Sequence, residues 1–210
     1  IKRRSPSAGP IRPEIDPAEL AATYERGGAG ALSVLTEPAF FSGSIEDLSR
    51  ARGACDLPVL RKDFVIDPYQ VVEARAAGAD AVLLIVAGIQ DRGLYAELAA
   101  AVSDFGMAAL IEVHDEWELE AAFEGEPELV GVNQRDLKTF RVDPGLAARL
   151  RPSIGSDVAV IAESGISSRK EVEALEAAKL DGILVGEALL RSADPERAAA
   201  KLLGRSGAER

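Results

Sequence analysis

An alternation of two patterns limits what this chain can fold into more than any other feature. Apolar, β-branched runs recur at roughly 20 to 30 residue intervals, each followed by an Ala- and Glu-rich stretch of helical period. The runs cover residues 29–36, 58–64, 81–86, 108–114, 129–136, 159–164 and 182–189. Their unbroken apolar character, as in Val82-Leu83-Leu84-Ile85-Val86, suits strands covered on both faces, so parallel strands joined by helices are expected. Helix starts are marked by Asp16-Pro17, Asp67-Pro68 and Asp143-Pro144, where Asp caps an orphan amide and Pro occupies the first helical position. These starts predict helices over 18–26, 69–77 and 145–150, and similar helices are expected over 45–54, 92–105, 116–123, 169–178 and 195–203. Gly78, Gly106 and Gly125 fall where C-terminal caps belong.

Seven strands are one short of a (β/α)8 TIM barrel, and Ile1-Lys2-Arg3 reads as the end of a first strand. The expectation is therefore an α/β barrel, one domain over residues 1–210, with most of its first strand and any N-terminal extension missing from this chain. An open doubly wound sheet would carry a glycine-rich fingerprint after its first strand, and no G-x-G-x-x-G follows any strand here.

Composition narrows the function. Among 210 residues there is one cysteine, Cys55, and one histidine, His114, so an internal disulfide, a His-based metal cluster and a Ser-His or Cys-His nucleophile all lack partners. Cys55 reads as a small apolar residue at a helix end. The net charge of −11 disfavours a nucleic-acid surface, and no apolar run approaches the roughly 20 residues of a membrane helix. The basic start, Lys2-Arg3-Arg4, has no apolar segment behind it and is not a secretory signal, which favours the cytoplasm. Any anionic ligand must be held by a few local cations and backbone amides.

Several apolar strands end in polar groups. Lys62 shares a strand face with Leu60, Glu112 with Leu110, Asn133 with Gly131, and Glu163 with Ile161. In a barrel such faces converge on one pocket at the C-terminal rim. A lysine in a partly dry pocket donates a proton to a carbonyl oxygen as its pKa falls toward neutrality, and a nearby glutamate supplies the opposite proton-transfer role. The same two residues would also form a structural ion pair. Gly165 and Gly186 follow the last two strands, where backbone amides and a short helix N-terminus can approach a phosphate.

These residues fall within motifs that together resemble one family: Lys2-Arg3-Arg4-Ser5-Pro6-Ser7, Leu32-Ser33-Val34-Leu35-Thr36-Glu37, Leu60-Arg61-Lys62-Asp63-Phe64, Leu110-Ile111-Glu112-Val113, Gly131-Val132-Asn133-Gln134-Arg135-Asp136-Leu137, Ala162-Glu163-Ser164-Gly165-Ile166 and Leu184-Val185-Gly186-Glu187. In this order they resemble indole-3-glycerol phosphate synthase, a (β/α)8 barrel of tryptophan biosynthesis. That family converts 1-(2-carboxyphenylamino)-1-deoxyribulose 5-phosphate to indole-3-glycerol phosphate, releasing carbon dioxide and water. The resemblance implies a small phosphorylated substrate, no metal and no organic cofactor, and no nucleic-acid or membrane partner. A monomer or weak homo-oligomer is expected.

By position, the resemblance makes Lys62 the general acid at the substrate ketone and gives Glu112 the later dehydration. Lys2 contacts the substrate carboxylate or phosphate, with a share in the acid role. Asn133, Glu163 and Ser164 orient hydroxyls and the ring nitrogen. Ser5, Gly165, Gly186 and Glu187 line the phosphate site, Phe41 lies beside the substrate ring, and Ser33 and Arg135 are further substrate-binding positions. The family also has a catalytic glutamate two positions before the residue matching Lys2, for which this sequence has no position. Two other readings stay open at this point: another phosphate-binding barrel of the phosphoribosyl isomerase type, and an inactive barrel that only binds anions.

Overall fold

The computed structural model describes residues 1–205, and each of the seven apolar runs contributes a strand to it. An antiparallel ribbon comes first, β1 (Arg4–Ser5) against β2 (Gly9–Pro10). The larger sheet contains β3 (Leu32–Leu35), β4 (Val59–Lys62), β5 (Ala81–Ile85), β6 (Ala108–Val113), β7 (Leu129–Asn133), β8 (Ala159–Glu163) and β9 (Gly182–Leu184), all parallel and paired in chain order. The helices are α1 (Pro17–Arg26), α2 (Pro38–Phe41), α3 (Ile45–Arg52), α4 (Pro68–Ala76) and α5 (Arg92–Asp104), then α6 (Glu116–Ala122), α7 (Leu146–Leu150), α8 (Arg169–Ala177), α9 (Glu187–Leu190) and α10 (Pro195–Leu202). None of the helices in the described residues is long and apolar enough to cross a membrane.

Two of the three expected Asp-Pro starts cap as their chemistry requires; Asp143 bonds only the Gly145 amide, at 3.1 Å, and α7 begins at Leu146 with Gly145 at its N-cap and no side-chain cap. Asp16 accepts from the Ala18 amide at 2.8 Å, Asp67 forms a reciprocal capping box with Gln70, and Ser168 forms one with Glu171. Gly78 and Gly106 end α4 and α5 at φ 93° and 67°. Gly125 does not act as the cap expected of it: the left-handed residue there is Glu126, at φ 47°. Gly125 is constrained instead by Tyr95, whose Cε1 would lie 2.8 Å from an added Cβ. Cys55 is half-buried beyond α3, its thiol donating to the Ala51 carbonyl.

All seven strands are shorter than the apolar runs that hold them, run 29–36 by half, and at three of them the chain visibly turns into another structure. Run 182–189 is strand only to Leu184; the chain then turns into α9, which carries Leu189 and Leu190 into the outer core. Run 129–136 stops at Asn133, because Asp136 and Arg141 close a hairpin with Arg135 bridged to Val142. Val86 leaves β5 for a 3₁₀ turn.

The strands separate two apolar layers. Outward residues such as Val34, Val82, Ile111, Val132 and Ala162 meet the helices, while Leu60, Leu83, Ile85 and Leu110 fill the inside with Leu129, Ile161 and Leu184 against them. Each fully buried aliphatic contributes about 1.5–3 kcal/mol. The edge strands β3 and β9 pair with no second strand among the described residues, although Ile1 lies along β3. Its nitrogen donates to Ser33 O at 2.5 Å and its carbonyl accepts from Leu35 N at 3.0 Å, a parallel pattern.

Outside the barrel, β4 is fixed by a buried arginine. The Arg61 guanidinium donates to Gln70 O at 2.7 Å, Asp63 Oδ2 at 3.1 Å and Thr36 Oγ1 at 3.3 Å, and lies 2.8 Å from Glu73 Oε2. Arg61 is 4% exposed, and removing it leaves the Asp63 carboxylate with only the Thr36 hydroxyl and the Phe64 amide and no countercharge. Arg61→Met is expected to lower stability by about 3–5 kcal/mol in urea unfolding, the cost of breaking a buried pair from one side. A loss below 1 kcal/mol would show that water readily replaces the guanidinium.

Candidate active site

Strand alternation brings the polar strand ends together. Lys62, Glu112, Asn133 and Glu163 each stand two residues beyond an inward-facing position, at the top of the inner aliphatic layer. The Lys62 ammonium donates to Glu112 Oε2 at 2.7 Å and to Glu163 Oε2 at 2.8 Å. Asn133 Nδ2 donates to Glu112 Oε1 at 2.9 Å, and Ser164 Oγ donates to Asn133 Oδ1 at 2.8 Å. Five of the expected residues thus form one connected network. Ser164 takes a left-handed conformation, φ 67°, beside Gly165 at 75°, a strained turn of the sort that functional sites retain.

The two carboxylates are unequal. Glu112 collects donors from Lys62 and Asn133, and His114 Nε2 lies 3.2 Å from its Oε1, whereas Glu163 Oε1 is buried with no hydrogen-bond partner. Burial raises both, but the Lys62 charge and these donors hold Glu112 well below the carboxylate range. Glu163 is pushed up, first by burial and then by the neighbouring Glu112 charge, against the pull of Lys62. Divergent environments of this kind separate an ionised group from a proton carrier.

Lys62 departs from expectation. Burial does pull its pKa down, but the attraction of Glu112 and Glu163 together outweighs it, and the ammonium is held above the ordinary lysine value. Its partners are those carboxylates and not Asp63, which belongs to Arg61. Lys2 is the lysine whose pKa falls, through burial and then the Arg135 and Lys62 charges, with Glu187 opposing.

A cavity of about 1450 Å³ borders this network and continues past the inner aliphatic layer to the N-terminal strand ends at Asp80, Ala108 and Leu129. Lys62, Lys2, Asn133, Glu163 and Ser164 line it, as do Ser5, Ser33, Phe41, Arg135, Gly165, Gly186 and Glu187. Phe41 is the last residue of α2, Arg135 is held by a bond to Phe140 O, and the Gly186 backbone faces the Lys2 stem. Glu112 is absent from the wall: it is 2% exposed and sits behind Lys62, reaching the cavity through the ammonium.

Two contributors were not singled out in the sequence. Gly131 lies beneath Glu163, and a Cβ there would come within 2.3 Å of Glu163 Oε1. Its signal is the glycine in place of a large aliphatic, two residues before Asn133 on the inward face. His114 follows Glu112 at the strand period of two, with Glu118 four residues further on, so both carboxylates reach its ring.

Parallel strands carrying a buried ammonium–dicarboxylate cluster at their C-terminal ends, below a glycine-bearing rim, define a barrel enzyme built for proton transfer. Comparison with known proteins gives the family. Residues 1–202 match the family model for indole-3-glycerol phosphate synthase. Indole-3-glycerol phosphate synthase 2 of Streptomyces coelicolor is 51% identical over 204 residues, covering 97% of this chain and 79% of that protein. Indole-3-glycerol phosphate synthase of Mycolicibacterium gilvum is 49% identical over 203 residues, covering 97% and 74%. In fold alone, thiamine phosphate pyrophosphorylase from Pyrococcus furiosus superimposes with a TM-score of 0.71 at 20% identity, covering 92% of this chain and 89% of its own. The chain belongs to the indole-3-glycerol phosphate synthase family, decarboxylating lyases of tryptophan biosynthesis with a (β/α)8 fold. These comparisons favour neither the isomerase-type barrel nor the inactive one.

Proposed function

We propose that this chain itself closes the indole ring of 1-(2-carboxyphenylamino)-1-deoxyribulose 5-phosphate. The observation that carries the reading is the single ammonium of Lys62 shared between Glu112 and Glu163 beside the cavity. The ring carbon bearing the carboxylate attacks the ketone carbon, and the ketone oxygen takes a proton from Lys62 as the new bond forms. Carbon dioxide then leaves with its bonding pair returned to the ring. In the dehydration the hydroxyl departs as water, with Glu163 suited to supply its proton, while the proton lost from the adjacent carbon is drawn toward Glu112 through the Lys62 amine, which lies between Glu112 and the cavity. That proton restores the Lys62 ammonium, and Glu163 is reprotonated from solvent through the cavity, the one proton the overall reaction consumes.

Lys2 and Arg135 meet the substrate's negative groups, with Asn133 and Ser164 orienting its hydroxyls. Ser5, Gly165, Gly186 and Glu187 surround the phosphate, Glu187 through its backbone, while Phe41 and Ser33 border the rest of the substrate. Phosphate binding far from the reacting carbons holds them close enough to react. The same reading makes residues 1–210 one domain, the last five lying outside the described residues, working in the cytoplasm as a monomer or weak homo-oligomer. Incubation with the carboxyphenylamino substrate is expected to produce indole fluorescence and one carbon dioxide per turnover. No product at high enzyme concentration would exclude the reading for this chain.

A further inference from the structure

The only histidine of the chain lies between two carboxylates on different elements. His114 Nδ1 is 2.9 Å from Glu118 Oε2, and the same oxygen accepts from the His114 backbone amide at 2.8 Å. Nε2 lies 3.2 Å from Glu112 Oε1, off the line of a directed hydrogen bond, so charge attraction dominates that contact. The imidazole side chain is 10% exposed, and Glu118 is itself tied down, its amide bonded to Asp115 Oδ1 at 2.8 Å.

A neutral imidazole carries one N–H and can serve only one of two carboxylates; the protonated ring serves both. We propose that His114 is a positioning residue, kept as the imidazolium by Glu118, which holds Glu112 ionised and aimed at Lys62. Without it one ammonium would balance two buried carboxylates, and Glu112 would compete with Glu163 for the remaining proton. This role rests on the proposed ring closure, and it assigns His114 and Glu118 a part in it without contact to substrate.

The charged groups around the ring are Glu112 on β6, which ends just before His114, Glu118 on α6 and, across the shared carboxylate, Lys62 on β4 and Glu163 on β8. The loop after β7 adds Asp136, Asp143, Lys138 and Arg141 around an adjoining pocket of about 570 Å³ that Asp115 also lines, three acids against two bases beside Glu118 itself. Burial lowers the His114 pKa, but its contacts with Glu112 and Glu118 and then their charges raise it to about 9.

The presence of one imidazole makes the test direct. Followed by NMR in the intact chain, its resonances are expected to titrate near pH 9, and in Glu118→Gln the midpoint is expected to move down by about one unit or more. This measurement needs no turnover, so its failure is separate from failure of the ring-closure reading. In the assay, His114→Asn is expected to lower kcat roughly tenfold to a hundredfold, the range lost with outer-shell partners in metal sites, while KM changes little. Removing the cation raises the pKa of Glu112, so the acid limb of the kcat profile moves to higher pH. An imidazole titrating at or below 6.5 in the unaltered protein overturns the proposal. So does a His114→Asn variant that keeps kcat within twofold and leaves the acid limb in place.

Discussion

Lys62→Met is expected to lower kcat by about 10³ to 10⁴, the upper part of what a positioned proton donor supplies. Binding of the product, followed by calorimetry, is expected to persist, because the rim around Gly165 and Gly186 lies on other strands. The same substitution alters the fold's response to pH. Lys62 is the shared cation of Glu112 and Glu163, and removing it leaves two buried carboxylates facing one another, a loss of about 3–5 kcal/mol. The folded pair then holds a proton to higher pH than the unfolded chain does. Its folded pKa lies above the unfolded value, so stability is retained under acid conditions and lost as pH rises through the raised value. Urea unfolding at pH 5 and pH 8 is expected to separate the variant from the parent mainly at pH 8. A variant within tenfold of the parent in turnover would make Lys62 a structural ion-pair partner and no more.

The second large effect is expected from a methyl group. Gly131→Ala places a Cβ 2.3 Å from Glu163 Oε1 and 3.2 Å from Leu110 Cδ1. The Glu163 carboxylate ends a flexible side chain, but it is fully buried and bonded to Lys62, so it moves only by leaving that bond. Overpacking of a filled site costs about 1–3 kcal/mol in stability. The catalytic effect is expected to be larger, roughly a hundredfold in kcat, because displacement of about 1 Å in a reacting array has that consequence. Near-parental kcat with the stability loss alone would show that the position of Glu163 is unimportant to the chemistry.

Much of this arrangement was legible in the sequence because two periods were superimposed. The apolar runs located all seven parallel strands, and the two-residue period carried Lys62, Glu112, Asn133 and Glu163 onto the inward face. Asp16 and Asp67 disclosed their helices through capping chemistry that depends only on neighbours in sequence. Four-residue helices such as α2 and α9 are too short to establish a period, so residues 187–189 read as strand and the cap that Glu37 makes for α2 was not seen. The direction of the Lys62 shift depended on how many carboxylates reach it, and Glu163 arrives from 101 residues away. Gly131 was missed for a related reason: what a glycine admits is a property of the neighbouring strand. The left-handed Ser164 likewise has no signature apart from the glycine after it.

The Arg61 anchor constrains more than stability. Adjacent residues in β4 face opposite sides of the sheet, so a slip of one position would carry Arg61 into the barrel and turn Lys62 toward α4. The four partners that hold the guanidinium on the outside therefore also select the register that keeps the ammonium on the inside. Changes that loosen the outer network would be felt first as alternative registers of β4. Such a population would be folded and inactive, with every active-site side chain still present in the chain.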